Sequence, residues 1–201
     1  MSSVGPPSSP AGGGWIRLLR RVIEALDEAG IPHMVSGSVA STRHGEARAT
    51  QDIDIVIDPS EAQIDVLLDR LARRRPGDSE LFVDDALEAW RHRSQFNVLD
   101  PATGWKVDLI IRKDRPYSRR EFERRQPARI GAVDLFVVSP EDSILSKLEW
   151  SRTSESERQR RDAQSIVEVQ GDGLDWAYLD RWAVELEVAD LLASVRDQAR
   201  P

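Results

Sequence analysis

The sequence predicts an α/β protein: a mixed, partly antiparallel sheet with helices on one face, followed by a helical segment. Three observations carry this expectation. Short β-rich runs, such as Pro32-His33-Met34-Val35-Ser36 and Asp52-Ile53-Asp54-Ile55-Val56-Ile57, alternate with stretches whose apolar positions follow helical spacing. Two further runs, Gln95–Leu99 and Trp105–Ile111, are joined only by Asp100-Pro101-Ala102-Thr103-Gly104, a turn sequence that makes them an antiparallel hairpin. From Ser139 onward the pattern is helical. The 201 residues fit one domain with a helical annex and can bury a sizeable core.

Taken in order, residues 1–13 are Ser, Pro and Gly with almost nothing to bury and read as a disordered leader. Ile16, Leu18, Leu19, Val22, Ile23, Leu26 and Ala29 give a first helix from Trp15 to Ala29, stopped by Gly30 and Pro32. The strand at Val35 then runs into a short helix over Ser38–His44 whose first turn carries Gly37-Ser38. Pro59-Ser60-Glu61 opens another helix through Ile64, Leu67, Leu68 and Leu71, ending in Arg73-Arg74-Arg75, where cations meet its negative end. Leu81-Phe82-Val83 reads as a short strand and Asp84–His92 as a helical turn.

After the hairpin, Ser118–Arg125 has Arg/Glu pairs at helical spacing and Asp134–Val138 is a strand. Ser139-Pro140-Glu141-Asp142 has the N-cap serine, first-position proline and acidic first turn of a helix start. Ile144, Leu145, Leu148 and Trp150 supply that helix's core face. Ser151–Ser156 reads as a mobile loop, and helices follow over Asp162–Val169, Asp175–Trp182 and Val188–Ala199, with Trp176, Tyr178 and Trp182 in their core.

Composition narrows the function. The absence of cysteine excludes disulfides and thiolate metal sites, and the three histidines, His33, His44 and His92, lack ligand spacing, which argues against a zinc enzyme. A net charge of −7 is unlike a basic nucleic-acid coat protein. No run approaches the roughly 18 apolar residues of a membrane span, and the amino terminus lacks signal-peptide character, so a soluble cytoplasmic protein is expected.

The chemistry concentrates in Gly37–Asp58. A strand that ends in Gly-Ser and enters a helix presents backbone N–H groups at the positive end of the dipole, which suits a phosphate. Along the next strand Asp52 and Asp54 project to one face while Ile53 and Ile55 face the core. Two carboxylates so close repel by roughly 4 kcal/mol at 4 Å with an effective dielectric of about 20. A hard cation, Mg²⁺ or Mn²⁺, relieves that repulsion. Asp108 lies inside an apolar strand, on the same face as Lys106 and Ile110, and needs a partner if buried; a metal shared with Asp52 and Asp54 is the expected one. The segment Arg112–Arg129 holds eight basic residues against three acidic ones, either a polyanion-binding patch or a solvated helix face. Tyr117 and Phe122 within it fit core packing better than base stacking.

The order Gly37-Ser38-x-Ala40, then Arg48-x-Thr50-x-Asp52-x-Asp54, resembles the nucleotidyltransferase (polymerase-beta-like) superfamily, and in spelling the AbiEii-type and related stand-alone bacterial members. The resemblance implies a nucleotidyltransferase-type sheet within a catalytic domain over 14–139, with the helical segment 140–201 packed on it. It implies metal-dependent transfer of a nucleoside monophosphate from a nucleoside triphosphate to a hydroxyl. Gly37 and Ser38, with Arg48, would seat phosphates; Asp52, Asp54 and Asp108 would hold two metal ions. Lys147, on the helix after the sheet, and Asp162, following an arginine-rich stretch, match further motif positions of that family. It also suggests a growth-arresting toxin with an antitoxin partner, while the Arg112–Arg129 patch by its charge favours an RNA or tRNA end as acceptor. A small hydroxyl acceptor such as an antibiotic, and a nucleotidyltransferase-like module that binds without chemistry, remain alternatives. Rival enzymes fail on their motifs: Ser38 lacks the flanking glycines of a hydrolase nucleophile, and the P-loop pattern is missing.

Overall fold

A computed structural model of the chain describes residues 13–44, 52–73, 80–154 and 156–199. Most of the leader, Arg48, and Arg74 and Arg75 lie outside the described residues.

The protein is a mixed α/β structure. Seven strands, β1 (His33–Ser36), β2 (Asp52–Ile57), β3 (Phe82–Val83), β4 (Gln95–Asp100), β5 (Trp105–Ile111), β6 (Gln126–Ile130) and β7 (Val133–Val137), form one sheet in the order β3-β4-β5-β2-β1-β7-β6. The helices are α1 (Gly14–Glu28), α2 (Gly37–His44), α3 (Glu61–Ala72), α4 (Ala86–Arg91), α5 (Pro116–Glu123), α6 (Pro140–Ser154), α7 (Glu157–Gln170), α8 (Trp176–Glu185) and α9 (Ala189–Gln198). The chain divides into two compact units, one drawn from Met1–His33, Gln51–Ile111 and Arg129–Leu135, the other from Met34–Thr50, Arg112–Ala128 and Phe136–Pro201.

In the first unit the expected hairpin is present, with β4 antiparallel to β5 and β3 antiparallel to β4. β2 pairs with β5 in parallel, a pairing between distant segments. Ile53, Ile55 and Ile57 on β2 and Val107, Leu109 and Ile111 on β5 are buried, as strand alternation requires. Helix α1 packs its apolar stripe, Leu18, Leu19, Val22, Ile23 and Leu26, against α3 and β5. Gln63 fixes the start of α3: its Oε1 accepts the Ser60 backbone N–H at 2.9 Å, while its Nε2 donates to the Gly30 carbonyl at 2.7 Å, tying α3 to the end of α1.

The second unit is built on helix packing, around Tyr117, Ile144, Leu145, Leu148, Ile166 and Leu179. Ser139 caps α6 as expected, its Oγ accepting the Asp142 N–H at 3.1 Å. Asp175 caps α8 by accepting the Tyr178 N–H at 3.0 Å.

Several local expectations change. Ser151–Ser156 is largely helical, because α6 continues through Ser154, and α7 begins at Glu157 rather than Asp162. Ser154 and Thr153 hydroxyls return hydrogen bonds to the Trp150 carbonyl, which keeps these polar residues compatible with the last turn. Trp150 is exposed rather than in the core; the buried face of α6 is set instead by Ile144, Leu145, Lys147, Leu148 and Ser151. Helix α3 ends at Ala72, so Arg70 occupies its last turn and Arg73 pairs with Asp69. Gln126–Ile130 is a strand despite Pro127, a segment that no sequence pattern marked.

Candidate active site

Strand register brings the first group of site residues together. In the parallel β2–β5 ladder Asp52 stands opposite Lys106 and Asp54 opposite Asp108. Register partners project to the same side of a sheet, and Asp52 and Asp54 alternate with the buried isoleucines, so three carboxylates and one ammonium occupy one face. Asp52 is exposed, Asp54 half-buried and Asp108 buried.

The partner of buried Asp108 is Lys106. Lys106 Nζ donates to Asp108 Oδ2 at 3.0 Å and lies 2.9 Å from Oδ1 and 3.7 Å from Asp52 Oδ1. The hydrogen bond with Asp108 holds the Lys106 ammonium above its ordinary pKa against burial, and the charges of Asp108, Asp52 and Asp54 act in the same direction. The sequence placed Lys106 on the right face without giving it a role.

The donor set suits a hard divalent cation. Asp108 Oδ1 is buried and, although within ion-pair range of the lysine, receives no directed hydrogen bond. Among the described residues no three acidic, histidine or cysteine side chains form a ready metal cage. Such a cage is unnecessary for Mg²⁺, which one or two carboxylates hold together with water and substrate phosphates.

One neighbouring residue escaped sequence reading. The hairpin register sets Asn97 opposite Asp108. Asp84 Oδ2 accepts from Asn97 Nδ2 at 2.7 Å and from its backbone N–H at 3.1 Å, which fixes the amide's orientation. Asn97 Oδ1 is then a second buried oxygen without a hydrogen-bond partner. A polar residue between Phe96 and Val98 was the available signal, but its alignment with Asp108 depends on the turn.

The second unit carries the other candidates. Gly37 opens α2 with φ of +62°, a conformation that glycine adopts without steric cost, and Ser38 follows in the first turn. Helix α2 packs on α6 and α7. Between those two helices, buried Lys147 donates from Nζ to Asp162 Oδ2 at 3.1 Å and to Gln159 Oε1 at 3.4 Å. The two motif positions named from sequence thus form an ion pair.

The Arg112–Arg129 segment is largely tied to carboxylates. Arg115 makes a two-pronged bond to Glu149, and Arg119, Arg120 and Arg129 pair with Asp114, Glu123 and Asp134. Arg124 reaches Glu141 at 3.0 Å and fully buried Asp142 at 3.2 Å, and stacks 3.9 Å over Tyr178, whose hydroxyl donates to Asp142. Tyr117 and Phe122 are buried in the core. Burial, reinforced by the Asp142 charge, lifts the Glu121 carboxyl to about 8.

Comparison with solved structures gives the fold its name. The antibiotic-resistance factor ANT(2'')-Ia in solution is similar over 87% of this chain and 96% of its own, with a TM-score of 0.55 and 14% identity. ANT(2'')-Ia in complex with adenylyl-2''-tobramycin gives 0.52 and 16%, covering 92% and 99%. The chain has a nucleotidyltransferase fold. An antigenic nucleotidyltransferase-like protein from Paracoccidioides brasiliensis is similar too, at a TM-score of 0.50 and 20% identity over 87% of this chain and 91% of that one. No known protein family and no curated protein matches the sequence. Among the described residues no helix is long and apolar enough to cross a membrane.

Proposed function

We propose that the protein is a cytoplasmic nucleotidyltransferase, dependent on Mg²⁺ or Mn²⁺, that moves a nucleoside monophosphate from a nucleoside triphosphate to an acceptor hydroxyl. The observation that carries this reading is the register pairing of Asp54 with Asp108, with Asp52 on the same face of the same strand pair. Asp52, Asp54 and Asp108 would hold the ions, which supply charge neutralisation for the transferred phosphoryl group. Gly37 and Ser38, with Arg48, seat the β and γ phosphates. The acceptor oxygen bonds to the α phosphorus, the bond to the bridging oxygen of the β phosphate breaks, and pyrophosphate departs. Asp108 takes the acceptor proton, and Lys147, held by Asp162, offsets the charge of the leaving pyrophosphate.

A small hydroxyl compound is the favoured acceptor. What supports it is the internal pairing of the Arg112–Arg129 side chains, which leaves that segment with less charge to offer a polyanion than its composition suggests. Transfer to an RNA or tRNA end rests on the basic composition of Arg112–Arg129, and a growth-arresting toxin neutralised by an antitoxin on the AbiEii-like spelling. The deciding experiment incubates the protein and its Asp54→Ala variant with each labelled nucleoside triphosphate, Mn²⁺ and cell extract. Label in the small-molecule fraction, lost in the variant, is expected; label in RNA would replace the acceptor, and equal absence of label in both would leave a binding module.

A further inference from the structure

The carboxylate face already carries a cation, and it belongs to the chain. Lys106 Nζ sits 2.9 and 3.0 Å from the two oxygens of Asp108 and 3.7 Å from Asp52. These are the oxygens that a divalent ion would need. Mg²⁺ binds carboxylate oxygen at about 2.0–2.1 Å, so an ion and the ammonium cannot both hold Asp108 without strong mutual repulsion. Lysine suits an exchangeable role: its charge is a point on a flexible stem, without the fixed fork of arginine, and here the side chain is one-third exposed on the open side of the pair. Asp108, by contrast, is buried and lies on a strand paired on both sides, so it stays where the register puts it.

We propose that Lys106 is a resident counter-cation, holding Asp108 and Asp52 in place in the ion-free protein and giving up those oxygens when a divalent ion binds. The proposal rests on the reading of this face as the ion site of a nucleotidyltransferase. Ion binding is then an exchange of cations rather than simple capture, and the buried Asp108 keeps a counter-charge between turnovers. Removing the ammonium should tighten ion binding on the order of tenfold, because the ion no longer competes with a charge fixed to the protein.

The test is Mn²⁺ binding to the full-length, nucleotide-free protein, read as loss of the free-ion paramagnetic resonance signal. Lys106→Met should bind Mn²⁺ about tenfold more tightly than wild type, and Lys106→Arg no more tightly than wild type. Equal or weaker binding by Lys106→Met overturns the exchange and leaves the ion site standing. Absence of Mn²⁺ binding in all three proteins overturns both. A readout on the wild type covers a variant that fails to fold: the Lys106 ammonium nitrogen resonance, protected in the ion-free protein, should shift and lose protection when Mg²⁺ is added. An unchanged resonance at Mg²⁺ saturation overturns the proposal.

Discussion

Asp54 and Asp108 face each other directly across the parallel β2–β5 ladder, on strands far apart in the chain. Asp54→Asn and Asp108→Asn each remove a charged oxygen donor while keeping side-chain size. Each should lower nucleotidyl transfer at least about 100-fold with the circular dichroism spectrum unchanged. Rates assayed with Mn²⁺ for both variants, beside thermal melts, test this; a variant with more than a tenth of wild-type rate contradicts the assigned role.

Lys147 and Asp162 form a pair in which the lysine is buried and the acid only partly so. Lys147→Met removes this ion pair and should destabilise the fold by about 2–4 kcal/mol. Adding Asp162→Asn should recover part of that loss, since the carboxylate that faced the lysine is then neutral. Urea denaturation of the single and double variants measures the coupling. If Lys147 also meets the triphosphate, the double variant stays impaired in transfer after its stability returns.

Gly37 is held at φ of +62° where β1 becomes α2. A Cβ there is strained, so Gly37→Ala should cost about 1 kcal/mol and shift the backbone amides that open α2. A rise of several-fold in KM for the nucleoside triphosphate, with a small fall in Tm, is the expected result. Calorimetric titration with a non-hydrolysable nucleotide checks the binding directly.

Arg124 joins α5 to α6 through Glu141 and Asp142, and Asp142 is fully buried. Arg124→Ala should therefore destabilise by about 2–4 kcal/mol, and Arg124→Lys should restore little, because one ammonium cannot replace a fork reaching two carboxylates. If the segment instead served mainly to bind RNA, the variant would keep its urea midpoint and lose salt-dependent RNA affinity.

Glu121 gives a pH signature. Its carboxyl rises from 4.5 to about 8 through burial and the neighbouring Asp142 charge, while Ser146 donates to it at 2.9 Å. The folded protein keeps a proton that the unfolded chain releases above about pH 4.5. The stabilisation is thus fully present below about pH 4.5 and is lost as pH rises through about 8. Glu121→Gln keeps an acceptor for Ser146 and cannot ionise. Its urea midpoint should vary less than wild type between about pH 5 and 9, and lie above wild type at the alkaline end.

Local chemistry made much of the molecule readable. The Gly37 strand-to-helix junction, the hairpin, the Ser139 cap and the alternation of Asp52 and Asp54 depend on residues a few positions apart, where periodicity and turn chemistry act. Arginines at 112–129 were harder to assign. A run of charge shows how much cation is present but not which carboxylate it meets, and Arg115 and Arg124 find theirs on α6. Trp150 failed for a related reason: helical spacing names an apolar stripe, and the packing partners decide its limits.

By itself the sequence determined the fold class, the two aspartates sharing a strand face and the glycine-serine entry to a helix, because each follows from backbone geometry over one or two turns of chain. Only the tertiary structure decided that Asp108 stands opposite Asp54, that Asn97 joins the same row of the sheet, and that Lys106 answers the charge of the buried acid. Those outcomes depend on strand register and on the cost of burying an unopposed charge, and neither is set until distant segments meet.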